Sequence, residues 1–231
     1  VLLFHGMASD MDDVGDLLKR LAEDLAAKGI ASLRVNFRGE GDKARTKIDS
    51  TFNTRLEDAA AAYAWVLKQT GVDTGRIGAQ GFSLGGPTAV VTAARHPGWF
   101  KSIALWSSPS GDLFALWAQN PAAQRALREG EASEEIPGWK TLTTKREFYE
   151  SFRGFNFDEA LAKYPGAFLT IRGSADVVAH RDDEMVKLAP GHPVEAVLIG
   201  GADHIYNVFQ PELGHAARVL ALTVAWFERT L

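Results

Sequence analysis

The chain is expected to fold as a doubly wound α/β protein, a mostly parallel sheet covered by helices on both faces and interrupted once by a helical cap insertion. Three observations predict this. Short apolar, strand-like runs alternate with amphipathic, helix-like stretches over most of the 231 residues. One strand–helix junction, Gly81-Phe82-Ser83-Leu84-Gly85-Gly86, carries a tight Gly-x-Ser-x-Gly turn. The alternation lapses between about Ser110 and Tyr164 and then resumes.

Val1 to Phe4 is a continuous apolar run meeting His5-Gly6, which reads as a buried strand entering a turn. Val14, Leu17, Leu18, Leu21 and Leu25 fall on one helical face, and Gly29 supplies the stop. Ile30 to Phe37 reads as the second strand, and the polar, Gly-containing stretch Arg38 to Ser50 as a loop. Leu56, Ala60, Tyr63 and Leu67 mark the next helix. Gly75 to Gln80 is the third strand, Leu84 to Arg95 the helix after it, and Lys101 to Ser107 the fourth strand. After the lapse come a strand (Gly166 to Arg172), a helix (Arg181 to Leu188) and a strand (Pro193 to Ile199). A last helix presents Leu213, Ala217, Leu220, Val224 and Phe227 on one face. The aromatic and charged stretch between is too long for a simple connection. The organisation expected is therefore a core of residues 1–109 and 165–231 with a helical cap at 110–164.

Bulk composition narrows the function. With 46% hydrophobic and 23% charged residues, the chain suits one globular domain. A net charge of −4 and scattered Lys and Arg carry no nucleic-acid or membrane-surface footprint. No run is long enough to span a membrane. The absence of cysteine removes disulfides, thiolate metal sites and a cysteine nucleophile. The cytoplasm is the expected compartment. The chain starts without Met inside an apparent strand, which leaves a lost N-terminal signal open.

The chemistry centres on Ser83. A strand, a tight Gly-x-Ser-x-Gly turn and a helix push a serine hydroxyl out at a sheet end. That hydroxyl needs a base within hydrogen-bond reach, and the base needs an orienting acid. Sites in such sheets form at the carboxyl ends of strands. Asp176 and His204 each follow a later strand, in the order Ser, Asp, His. Asp182 and Asp203 are rival acids, and Asp203 adjoins the base too closely to orient it easily. The N–H groups of Met7 and Leu84 are the expected oxyanion donors. Phe82, Trp106, Trp117 and Trp139 are candidates for an apolar or aromatic acyl pocket, or else simply pack the cap.

The segments Leu3-Phe4-His5-Gly6-Met7, Asn36-Phe37-Arg38-Gly39-Glu40-Gly41, Gly81 to Gly86, Gly173 to Asp176 and Gly201 to His204 together resemble the α/β-hydrolase superfamily in order and content. The short length and the insertion are similar to cinnamoyl/feruloyl esterases and related small carboxylesterases. Val72-Asp73-Thr74-Gly75-Arg76-Ile77 is also similar to dienelactone-hydrolase-like and prolyl-oligopeptidase-like enzymes. Serine at the elbow departs from dehalogenases and epoxide hydrolases, which attack through a carboxylate. The resemblance implies a carboxylic ester hydrolase working through an acyl-enzyme, with no metal or organic cofactor and a small-molecule ester as partner. A peptidase or amidase, a thioesterase and a homodimeric assembly remain open.

Overall fold

A computed structural model describes residues 1–42, 44–136 and 140–231. In chain order the strands are β1 (Leu2–Phe4), β2 (Leu33–Val35), β3 (Lys47–Ile48), β4 (Gly78–Phe82), β5 (Ser102–Trp106), β6 (Glu131–Ile136), β7 (Lys140–Lys145), β8 (Ala167–Gly173) and β9 (Val194–Ile199). The helices are α1 (Leu17–Ala26), α2 (Phe52–Val66), α3 (Gly85–Arg95), α4 (Leu113–Ala118), α5 (Pro121–Glu129), α6 (Arg146–Glu150), α7 (Phe157–Leu161), α8 (Asp182–Leu188) and α9 (His215–Thr230).

Six strands form one parallel sheet in the order β2-β1-β4-β5-β8-β9. All six were expected from their apolar runs, and the four inner ones are buried throughout, because a parallel strand covered on both faces has no polar face to interrupt it. Side chains alternate between two cores. On β5, Ile103 and Leu105 join α2 and α3, whereas Ala104 and Trp106 join α1 and α9. The chain winds outward from β1 to β2, then resumes on the other side of β1 with β4. The β1/β4 boundary is therefore the point where the winding reverses, and ligand sites form at the carboxyl ends of strands there.

Local signals set the helix ends. Thr51 and Thr54 exchange bonds in a capping box at the start of α2. Asp112, Asn120 and Asn156 cap α4, α5 and α7 through their side chains. The last helix differs from expectation. Gly214, at φ 71°, breaks the chain before it, so Leu213 sits outside the helix and is exposed. The buried face is carried instead by Ala216, Val219, Leu220, Thr223, Val224, Trp226 and Phe227.

Residues 110–164, expected to be helical, also contain a hairpin. Strands β6 and β7 pair antiparallel, and β7 adds β3 in parallel (Lys47 opposite Thr143), making a second, three-stranded sheet. The ion pairs Lys47–Glu131 (2.7 Å) and Lys145–Asp49 (2.6 Å) also link it to the 39–50 loop. The aromatics of the insertion form its interior. Trp117 lies 5.7–5.9 Å from Phe148, Tyr149 and Phe152, and Phe152 stacks on Phe52 of α2 at 4.9 Å. No described helix is long and apolar enough to cross a membrane.

Candidate active site

Ser83 sits between β4 and α3 with φ 50°, a left-handed conformation unusual for a residue with a side chain. Two glycines make the turn fit. A Cβ at Gly81 would strike the Gly85 carbonyl, and one at Gly85 would strike the Phe4 carbonyl of the neighbouring strand. The Ser83 N–H donates to the Trp106 carbonyl at 2.8 Å, which fastens the turn to the end of β5. The hydroxyl is left facing the loop after β9.

That loop brings His204 to it. His204 Nε2 lies 3.2 Å from Ser83 Oγ, and Nδ1 lies 2.8 Å from Asp176 Oδ1. The carboxylate orients Nδ1–H, which leaves Nε2 to accept the serine proton. Asp176 follows β8, and its side chain is fully buried. Burial alone would raise its pKa. The His204 hydrogen bond and charge, the Val178 N–H and the Ser107 hydroxyl outweigh burial and hold it below the ordinary carboxylate value. The His204 loop is itself tightly built. Tyr206 is buried, donates to the Ile171 carbonyl at 2.8 Å and accepts from Ser107 at 3.2 Å.

The rival acids have other partners. Asp203 caps its own turn through the N–H groups of Ile205 and Asn207. Asp182 accepts from Thr170 and from Arg172, both at 2.5 Å. Arg172, fully buried, also reaches Asp176 Oδ2 at 3.1 Å and the Ser108 carbonyl at 2.5 Å. It therefore joins Asp182 to the acid that faces His204. Nothing in the sequence pattern singled it out. A strand-borne arginine four residues before the acid is the signal that could have.

Met7 lies in the loop after β1, and Leu84 follows Ser83 in the chain. A Cβ built on Gly6 would lie 3.4 Å from Ser83 Cβ, so the loop after β1 touches the serine. The Gly6 N–H is taken by Asp13 (2.8 Å) and the Ala8 N–H by Glu40 (2.7 Å). Among the described residues, the N–H of Met7 between them has no acceptor, and neither has that of Leu84 at the start of α3. Two free donors beside a serine are what a developing oxyanion needs.

A buried network beneath the loop includes His5 and Glu40. Arg55 pairs with Glu40 at 2.7 Å, donates to the His5 carbonyl at 2.5 Å and covers the Phe37 ring at 3.9 Å. His5 Nδ1–H donates to the Gly6 carbonyl (2.6 Å), and Nε2 accepts from the Phe37 N–H (3.3 Å). These bonds require a neutral ring. Burial, with the Arg55 charge adding to it, lowers the His5 pKa from 6.5, while Glu40, Asp13 and the Gly6 carbonyl oppose it. Below pH 6.5 the unfolded chain binds a proton at His5 that the native chain refuses, so stability falls with pH there. One such proton is worth at most about 1.4 kcal/mol per pH unit. Urea unfolding of wild type and His5→Gln between pH 7.5 and about 5 checks this. The variant is expected to show the shallower pH slope, and an equal slope refutes the assignment.

The expected acyl-pocket residues scatter. Phe82 is buried with its ring 5.3 Å from His204, so it backs the imidazole. Trp106 departs from expectation: it is fully buried on the α9 side and donates to Thr223 at 2.8 Å, because strand alternation turns it away from α3. Trp117 packs inside the insertion. Trp139 lies outside the described residues. A cavity of about 600 Å³, lined in part by Val1, Ile30, Val72, Ile77 and Phe227, opens at the amino ends of the strands, across the sheet from Ser83. No group of three or more His, Asp or Glu suited to a metal occurs among the described residues.

Solved structures match over nearly the whole chain. Est1E from Butyrivibrio proteoclasticus, solved with ferulic acid bound, aligns with TM-score 0.79 at 17% identity, covering 99% of this chain and 88% of its own. The chain has the α/β-hydrolase fold. A structure from work on the metagenome-derived lipolytic enzymes LipS and LipT aligns with TM-score 0.72 at 21% identity, covering 99% and 92%. Dienelactone hydrolase from Anabaena variabilis gives 0.66 at 17% identity, covering 100% and 85%. The family model for X-Pro dipeptidyl-peptidase (S15 family) matches residues 7–117 of this chain. No curated protein matches it.

Proposed function

We propose that the protein is a serine hydrolase that cleaves carboxylic esters through an acyl-enzyme. The observation that carries this reading is the continuous row Ser83 Oγ–His204 Nε2 (3.2 Å), His204 Nδ1–Asp176 Oδ1 (2.8 Å) on a strained elbow. Ser83 Oγ attacks the acyl carbonyl as His204 Nε2 takes its proton. Asp176 holds the imidazole and stabilises its cation. The N–H groups of Met7 and Leu84 receive the negative charge on the carbonyl oxygen. His204 returns the proton to the departing alkoxide, which leaves as alcohol, and water then repeats the cycle to release the acid.

An apolar or aromatic acyl group is the proposed preference, supported by the ferulic acid bound to similarly folded Est1E and by Phe82 behind the imidazole. The second reading, a peptidase or amidase, draws on the S15 match over residues 7–117. Against it, Glu40 is engaged with Arg55 and Asp176 with His204, so neither is free to bind a peptide amine. A panel of p-nitrophenyl esters of rising chain length, methyl ferulate and an aminoacyl anilide separates the two. Turnover of esters with none of the anilide is expected. Turnover of the anilide alone would replace the ester reading with the amide one.

A further inference from the structure

The loop that carries Met7 is gripped from above by the insertion. Ala8, the next residue, has φ 58°, a left-handed conformation without a glycine. Such a residue keeps its place only when its surroundings hold it. Both of its polar groups are held. Its N–H goes to Glu40, which is itself fixed by Arg55 and Ser50. Its carbonyl accepts from Lys140 Nζ at 3.0 Å, and the same ammonium reaches the Arg45 carbonyl at 2.8 Å.

The two grips belong to one unit. Glu40 heads the 39–50 segment, and Lys140 opens β7. Strand β3 of that segment pairs with β7, Thr143 N–H donates to the Thr46 carbonyl at 2.7 Å, and two ion pairs stitch the remainder. The hairpin and the loop after β1 are thus tied at the Ala8 carbonyl, two peptide planes from the Met7 N–H, which has no acceptor among the described residues.

We propose that Lys140 is a positioning residue for the oxyanion donor: by holding the Ala8 carbonyl it fixes the direction of the Met7 N–H, and so ties the insertion to transition-state stabilisation. This rests on the ester reading. The ammonium acts through backbone and touches no reacting atom. Its loss therefore weakens binding of the transition state and leaves ground-state binding alone, a loss in kcat with KM preserved.

The test uses the whole chain with p-nitrophenyl acetate, too short to fill an acyl pocket, and p-nitrophenyl octanoate. Lys140→Met is expected to lower kcat by about ten-fold or more on both esters, as misplacement of a donor does. KM should stay within about two-fold of wild type. Lys140→Arg, which can still donate to both carbonyls, should recover part of the rate. Lys140→Gln gives the same split as Lys140→Met and guards against a folding failure of either one, with thermal midpoints measured alongside. An unchanged kcat on acetate overturns the inference. So does a loss confined to KM for octanoate, which would make Lys140 a contact of the acyl chain. A wild-type chain inactive on both esters overturns the ester reading beneath it, whereas equal activity of wild type and Lys140→Met overturns this inference alone.

Discussion

Ser83→Ala is expected to lower kcat on the best ester of the panel by about 10³- to 10⁶-fold while leaving KM nearly unchanged. The reasoning is geometric. Alanine keeps a Cβ on the same left-handed backbone, so the turn and its bond to Trp106 persist. Only the atom 3.2 Å from His204 is lost. The residual rate should come from the Met7 and Leu84 donors. In the proposed mechanism the three side chains act as a unit, so Ser83→Ala combined with His204→Ala should be little worse than Ser83→Ala alone. Steady-state kinetics of the singles and the double, with a fluorophosphonate label as a second readout, check this. A Ser83→Ala protein with near-normal turnover would remove the serine from the mechanism.

The second large effect concerns stability. Arg172→Met should destabilise the fold by about 3–5 kcal/mol, because removing one partner of a buried charge cluster leaves the others uncompensated. The carboxylates stranded would be Asp182 and Asp176, both now bonded to the guanidinium. Adding Asp182→Asn removes one stranded charge, so the double variant should be more stable than Arg172→Met alone. Urea midpoints of the two singles and the double give the coupling. A midpoint for Arg172→Met equal to that of wild type would show that the cluster contributes no net stability.

Much of this molecule is legible in the sequence, and what is not has physical causes. The four inner strands of the main sheet, β1, β4, β5 and β8, read as apolar runs because both of their faces are covered. Ser83, Asp176 and His204 could be chosen because each directly follows a strand, and they lie within hydrogen-bond distance in the fold. The hairpin escaped because β6, Glu-Ala-Ser-Glu-Glu-Ile, is largely solvated and shows no apolar alternation. The β-branched threonines of β7 were the weak signal that it was a strand. Arg55 and Arg172 escaped because charge ordinarily marks surface. Only the fold reveals that each meets a carboxylate in the interior. Trp106 ends β5, but the alternation of side chains along that strand sends it into the core beneath α1 and α9, which nearness to the strand's end does not reveal.

The elbow's shape is written in residues other than its serine. Gly81 and Gly85 admit the close approach of the Gly85 and Phe4 carbonyls, and Trp106 supplies the anchoring carbonyl. A small side chain placed at position 83 inherits the same perch opposite the imidazole. The scaffold and its reactive atom are therefore separable. A thiol or carboxylate grafted there would be presented in the serine's place, and the identity of the attacking group becomes an interchangeable part on a fixed mount.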